Sequence, residues 1–170
     1  MNLSDISTHW VALHEALGGD ARLLLAGGLG LFLKQRHLMD SAARTLLPVD
    51  QWPTARTTQD IDIVLRAEIV ASAAEMARFR AALDRLGCVV DEAARWMKFT
   101  RAVDGRRVVI DLMVGPLGPF AGRVARDTVR VRPSRPVPLH ARATDDALGI
   151  EESPLQYRVS DGDRSCEVLL

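Results

Sequence analysis

Cysteine is almost missing from the 170 residues: Cys88 and Cys166 are the only two, and neither has a metal-ligand spacing around it. That excludes a disulfide framework and a zinc ribbon, and it points to a reducing compartment. Neither has a basic or histidine neighbour to favour a thiolate, so both are expected to be buried and inert. Aromatic residues make up only 5% of the chain, too few for a base-stacking RNA platform. Lysine is as scarce, with Lys34 and Lys98 alone among the 22 basic side chains. The longest apolar run, Leu23 to Leu33, is broken by three glycines and falls short of the ~20 residues a membrane span needs. No charged n-region or cleavage pattern opens the sequence, so a cytoplasmic protein with no membrane partner is expected. What is present is an apolar fraction of 48%, enough to exclude a disordered chain, at a length that suits one domain with its own core.

The formal net charge is zero, but it is unevenly spread. Residues 95–142 carry eleven bases against three acids, and residues 143–170 carry two bases against seven acids. A basic central third fits a polyanionic partner, a nucleotide or nucleic acid, or else a solvated arginine-rich surface. His9, His14, His37 and His140 are scattered without metal spacing and are expected at the surface or at helix ends. Trp10 and Trp96 are expected in the core, while Trp52 stands in a loop where it is able to stack on a base.

Leu3, Ile6, Trp10, Leu13 and Leu17 recur at spacings of three and four, which predicts a helix capped by Ser4 and ended by Gly18-Gly19. A short buried strand over 23–26 should run straight into a second helix over 29–39. Residues 60–65 alternate acidic and branched apolar side chains, a strand pattern, and 69–86 read as a third helix closing at Gly87. Arg78, Arg80 and Arg85 should form its solvated face. Strands over 96–103 and 107–114 flank Asp104-Gly105, a strong hairpin signal. One edge strand near 128–131 and a last hairpin around Asp161-Gly162 complete the pattern. The expectation is an α+β fold with a mixed β-sheet flanked by helices, a single domain over 1–170 whose core spans 20–115, with 116–170 as accessory strands and loops.

The chemistry centres on acids in strands. Asp60 and Asp62 fall on one face of their strand while Ile61 and Ile63 point to the other. Aspartate is depleted in strands, so the pair requires either a solvated edge or a shared divalent cation, which takes carboxylate oxygens and keeps positions for phosphates. Asp111 interrupts the apolar run from Val108 to Val114, and a buried carboxylate there needs a metal, a cationic neighbour or water. A two-residue turn at Asp104-Gly105 would set Lys98 opposite Asp111 as a salt-bridged pair. Gly27-Gly28 sit where a strand feeds a helix, whose first N–H groups are suited to a phosphate.

Together these residues resemble the nucleotidyltransferase superfamily of the DNA polymerase beta type. Ala26-Gly27-Gly28-Leu29, then Arg56-Thr57-Thr58-Gln59-Asp60-Ile61-Asp62-Ile63, then Val109-Ile110-Asp111-Leu112 are most similar to the AbiEii-type toxin nucleotidyltransferases. The resemblance covers roughly residues 20–115. It implies a nucleotidyltransferase-like sheet in which Asp60, Asp62 and Asp111 hold two Mg2+ ions and Gly27 and Gly28 hold the triphosphate of an NTP. Arg56, Lys34 and Lys98 are the cations expected to touch that triphosphate. The implied activity is transfer of a nucleoside monophosphate to a hydroxyl of RNA, another nucleic acid or a small molecule, with a cognate antitoxin as partner. Leu29 stands where many members have serine, the 32 positions from Gly28 to Asp60 exceed the usual spacing, and the helical region that supplies a further Lys and Asp in the toxin family is not matched. A module of this fold that binds nucleotide, nucleic acid or protein without turnover is the alternative.

Overall fold

Helical periodicity produces the first element, α1 (Leu3–Ala16), in a computed structural model that describes residues 3–19, 23–41, 44–48, 51–53, 60–103, 105–150 and 152–170. Ile6, Trp10 and Leu13 are buried along one side of α1, and Leu17 follows just past its end. Ser4 falls within this helix, one residue past its start. The carbonyls that α1 leaves without intrahelical donors are met from another helix: Arg85 donates to the Ala16 carbonyl and Arg78 to that of Leu17. The second helix, α2 (Gly27–Asp40), starts two residues earlier than its apolar pattern predicts.

The helix expected over 69–86 is two helices, α3 (Ala67–Ala71) and α4 (Ala73–Arg85). Ser72 breaks them apart in an extended conformation (φ −100°, ψ 111°), and its hydroxyl accepts from the Glu75 N–H as the cap of α4. The Ser72-Ala73-Ala74-Glu75 spelling is a capping-box sequence inside an otherwise helical run. Arg80 does not belong to a solvated face. Its guanidinium lies over the rings of Trp96 and Phe99, 5.4 and 5.1 Å from their centroids, and forms a forked pair with Asp84.

Ten strands are described: β1 (Leu24–Ala26), β2 (Asp60–Leu65), β3 (Val89–Val90), β4 (Lys98–Val103), β5 (Arg106–Val114), β6 (Val124–Asp127), β7 (Arg130–Pro133), β8 (Ala141–Ala143), β9 (Gln156–Asp161) and β10 (Arg164–Leu169). They form one mixed sheet in the order β6-β7-β8-β5-β2-β1-β10-β9, with β4 also on β5 and β3 on β4. The molecule is therefore α+β, a large mixed sheet flanked by helices. The basic stretch over 123–140 holds a full hairpin, β6 and β7, rather than one edge strand; Thr128 turns it with a positive φ of 49°. Residues 116–170 supply five strands to this same sheet, and β10 lies parallel to β1 with Val168 buried in the main core.

Strand alternation sorts the two faces. Leu25, Ile61, Ile63, Leu65, Ile110 and Leu112 are buried beneath the helices. Each such side chain contributes roughly 1.5–3 kcal/mol by leaving water. A slip of one residue in β2 would exchange Ile61 and Ile63 for Asp60 and Asp62, so the apolar half of the strand fixes where the acids point. The other face carries a smaller apolar cluster of Leu24, Val64 and Ala147, and beyond it the acids.

Two histidines depart from expectation. His9 is buried with Nδ1 3.2 Å from Arg101, and His140 is buried at the start of β8. Burial, with Arg130 and Arg132 nearby, pushes the His140 imidazole down to about 4. Trp10 is buried, whereas Trp96 is half-buried between Arg80 and Arg95. No described helix is long and apolar enough to cross a membrane.

Candidate active site

Three strands assemble the acidic cluster. β2 and β5 run parallel with Asp62 directly beside Asp111, and β1 runs antiparallel to β2 with Ala26 beside Asp62. Residues paired across strands share a face, so Asp62 and Asp111 project together, with Asp60 two positions along. The hairpin expected around Asp104-Gly105 has the two-residue register, which sets Lys98 opposite Asp111. Asp104 itself lies outside the described residues, as does Arg56.

Asp111 is buried, and its carboxylate is paired twice. Arg142 Nη2 donates to Oδ2 at 2.8 Å, and Lys98 Nζ lies 3.3 Å from the same oxygen. Arg142 arrives from β8, which is parallel to β5 and sets Arg142 beside Met113. A carboxylate in an apolar strand needed a partner, and it has two cations. Asp62 has the contrary problem. Its pKa is raised above the usual carboxylate value, first by burial and then by the negative charges of Asp111 and Asp60; Arg142 and Lys98 oppose that rise. These causes place all three carboxylates and both cations in one electrostatic cluster.

The glycine turn meets this cluster through Asp62. Gly27 opens α2 with φ +63°, and a Cβ built there would fall 1.9 Å from Asp62 Oδ2. Only glycine allows this contact, since L residues resist that backbone region and a methyl group would displace the carboxylate. Gly30 is similarly constrained, because a Cβ there would come within 2.5 Å of the Leu25 carbonyl oxygen, so α2 packs tightly on β1. The start of α2 has no side-chain cap and no acid in its first turn, and Gly27 lies against the Asp62 carboxylate. Gly27 is thus accounted for by packing; Gly28, the next helical position, is half-buried.

Lys34 is not brought to the cluster. It is exposed seven residues along α2 from Gly27, about 10 Å of helix, and among the described residues the cations acting on Asp62 are Arg142 and Lys98. Trp52 donates its indole N–H to the Leu47 carbonyl at 3.0 Å. Cys88 and Cys166 are buried, and burial pushes each thiol up to about 11. Arg142 is the residue that sequence reasoning missed. It stood among eleven bases, and only the pairing of β8 with β5, some thirty residues away in sequence, distinguishes it.

The carboxylate set is hard and oxygen-based, as Mg2+ requires. Among the described residues, no group of three or more His, Cys, Asp or Glu side chains is arranged to hold a metal ion, and Lys98 and Arg142 occupy the Asp111 oxygen. A groove of about 640 Å³ opens at the other end of β2, against Arg66, His14, Arg158 and Glu167, and no predicted site residue lines it. No protein-family model, curated protein or solved structure matches the chain.

Proposed function

We propose that the protein is a metal-dependent nucleotidyltransferase that moves a nucleoside monophosphate from an NTP to a hydroxyl acceptor, with RNA the favoured acceptor. The observation that carries this reading is the registered pair Asp62 and Asp111, with Asp60 on the same face and the start of α2 against Asp62. Asp62 is the strained member: burial and the negative charges of Asp111 and Asp60 disfavour its ionised form in the metal-free protein. Such an arrangement suits a site that binds cations with phosphates.

Asp60, Asp62 and Asp111 would hold the Mg2+ ions. When bound, these supply Lewis-acid stabilisation of the attacking and leaving oxygens. The chain's own residues do the rest. The first N–H groups of α2 and Lys98 would orient the triphosphate, and the acidic face would align the acceptor hydroxyl in line with the scissile bond. The acceptor oxygen bonds to the α-phosphorus, the bond from that phosphorus to the bridging oxygen breaks, pyrophosphate leaves, and the hydroxyl proton passes to solvent. The basic residues of 95–142 are suited to an RNA backbone, and a cognate antitoxin in the cytoplasm would be the protein partner.

One observation favours the alternative, a binding module without turnover: Asp111 is already neutralised by Lys98 and Arg142. A melting series separates the enzyme from a module that takes no metal nucleotide, and label transfer separates it from one that does. For the enzyme, Mg2+ with NTP raises the melting temperature of the wild type, and Asp60→Asn or Asp62→Asn abolishes that rise. For the module, the wild type ignores Mg2+, and the variants lose stability whether or not it is present.

A further inference from the structure

We infer that Arg142, Arg130 and Arg132 form a phosphate track on the sheet face away from the helices, which holds the end of a single-stranded polynucleotide with its terminal hydroxyl toward Asp60 and Asp62. The inference rests on the acceptor proposed above, and it requires no metal ion.

Register sets the three arginines on one face. Arg142 on β8 donates to Asp111, so it points to the side that carries the acids. Arg130 pairs with Arg142 between β7 and β8, and Arg132 follows two positions along β7, so both project to that side. Val131, between them, is buried in the main core and fixes their direction. Both act on the single buried imidazole of His140, so their charges converge there. From β5 through β8 to β7 is two strand spacings, about 10 Å, so the row starts at Asp111 and leads away from it.

Elsewhere the chain gives its arginines acids: Arg80 has Asp84, Arg107 has Asp91, and Arg164 has Asp161 and Glu15. Among the described residues, Arg130 and Arg132 have no ion-pair partner, although Asp127 stands beside Arg130 in register near the exposed turn of the hairpin. Two neighbouring cations left in this way repel each other, and an anion from outside relieves that repulsion. Planar forks match phosphate oxygens in pairs, and the contact of Arg142 with Asp111 uses only Nη2. The occupant is a polynucleotide rather than an acidic peptide because of where the row ends. Asp62 stands beside Asp111 with Asp60 two positions along, and an acidic peptide would bring further carboxylates against them. A polynucleotide ends there in an uncharged hydroxyl.

The test is binding of a labelled single-stranded RNA to the full chain, in EDTA and without nucleotide, by fluorescence anisotropy over a salt series. Arg130→Gln and Arg132→Gln should each weaken binding about four-fold at about 0.15 M salt and lower the salt slope by about 0.7, the counterion release of one single-strand phosphate. Arg126→Gln is the control: it lies on the same hairpin beside Val131, on the opposite face, with Nε bonded to the Thr128 carbonyl, and should change neither. A 3′-phosphate on the RNA should weaken binding, because it sets a charge against the acids. Single-stranded DNA separates the two sources: comparable binding assigns the row to any polynucleotide end, weaker binding to RNA. If a glutamine variant does not fold, RNA carrying 4-thiouridine near its 3′ end decides by cross-linking to the β7–β8 segment of the wild type. Equal losses in Arg126→Gln and Arg130→Gln would reduce the effect to net charge and overturn the track. Competition by polyglutamate as strong as by RNA would assign the row to an acidic protein, and equal affinity for the 3′-phosphate RNA would overturn the placement of the end. Neither metal nor NTP is present, so a chain that binds RNA in this way but transfers no label keeps the track and loses the proposed reaction.

Discussion

Asp62 and Asp111 stand side by side on neighbouring parallel strands, yet the protein treats them in opposite ways. Asp111 is buried with Lys98 and Arg142 on one oxygen, whereas Asp62 lies against Gly27 with its pKa raised by burial and by two other acids.

Their amide variants should therefore diverge. The unfolded carboxyl of Asp62 titrates near 3.8 and the folded one higher, so between those values the folded state binds more protons. Asp62 then costs stability above its folded pKa, and the cost is relieved as pH falls through that pKa. In metal-free buffer at pH 7, Asp62→Asn should melt higher than wild type, by about 2–4 °C for each kcal/mol relieved. Asp111→Asn should melt lower, since it leaves two cations without their anion, a loss of about 1–3 kcal/mol. Thermal melts in chelated buffer check both signs.

Gly27→Ala should be among the most damaging small changes in the chain. The positive φ alone costs about 1–2 kcal/mol, and the added methyl group collides with Asp62 Oδ2. Removing the obstacle tests the cause: adding Asp62→Ala to Gly27→Ala should recover the collision part and leave the backbone part. A double-mutant cycle by urea unfolding measures that coupling, and strict additivity would show that the two residues do not meet.

Much of this site was legible in the sequence because period-two alternation and a two-residue turn are local rules. They set Asp60 and Asp62 on one face and Lys98 opposite Asp111, and the structure has both. What lay beyond reach depended on contacts between distant segments. Arg142 meets Asp111 only because β8 lies along β5, and Arg80 leaves its expected solvated face only because Trp96 and Phe99 pack beneath it. The division of the third helix at Ser72 is a different matter: the capping-box spelling lies in the sequence, but the apolar periodicity runs through it from Ile69 to Leu86. For Gly27, the pattern predicts a phosphate role, while the contact with Asp62 is a sufficient structural cause for the residue.

His140 supplies a pH signature away from the carboxylates. Its folded value is pushed down to about 4 while the unfolded imidazole titrates near 6.5, so in that window the unfolded state binds the extra proton. Its contribution to stability is complete above pH 6.5 and falls away as pH drops toward 4. Urea denaturation from pH 4 to 7 should show this slope, and His140→Asn should flatten it.

The two thiols should be silent in the native protein. With both raised to about 11 and both buried, neither Cys88 nor Cys166 should react with an aromatic disulfide reagent at pH 8 until the chain unfolds. Rapid labelling of one thiol in the native protein would place that cysteine at a solvent-open position.

The direct test of the central claim is label transfer. The full chain is incubated with each α-labelled NTP in turn, Mg2+ and total RNA, and the RNA is resolved for incorporated label. The account predicts label on RNA from at least one NTP with the wild type, none when Mg2+ is chelated, and none with Asp60→Asn or Asp62→Asn. Absence of label on RNA with all four NTPs and folded wild-type protein would contradict it, as would label that persists in the Asp62→Asn variant.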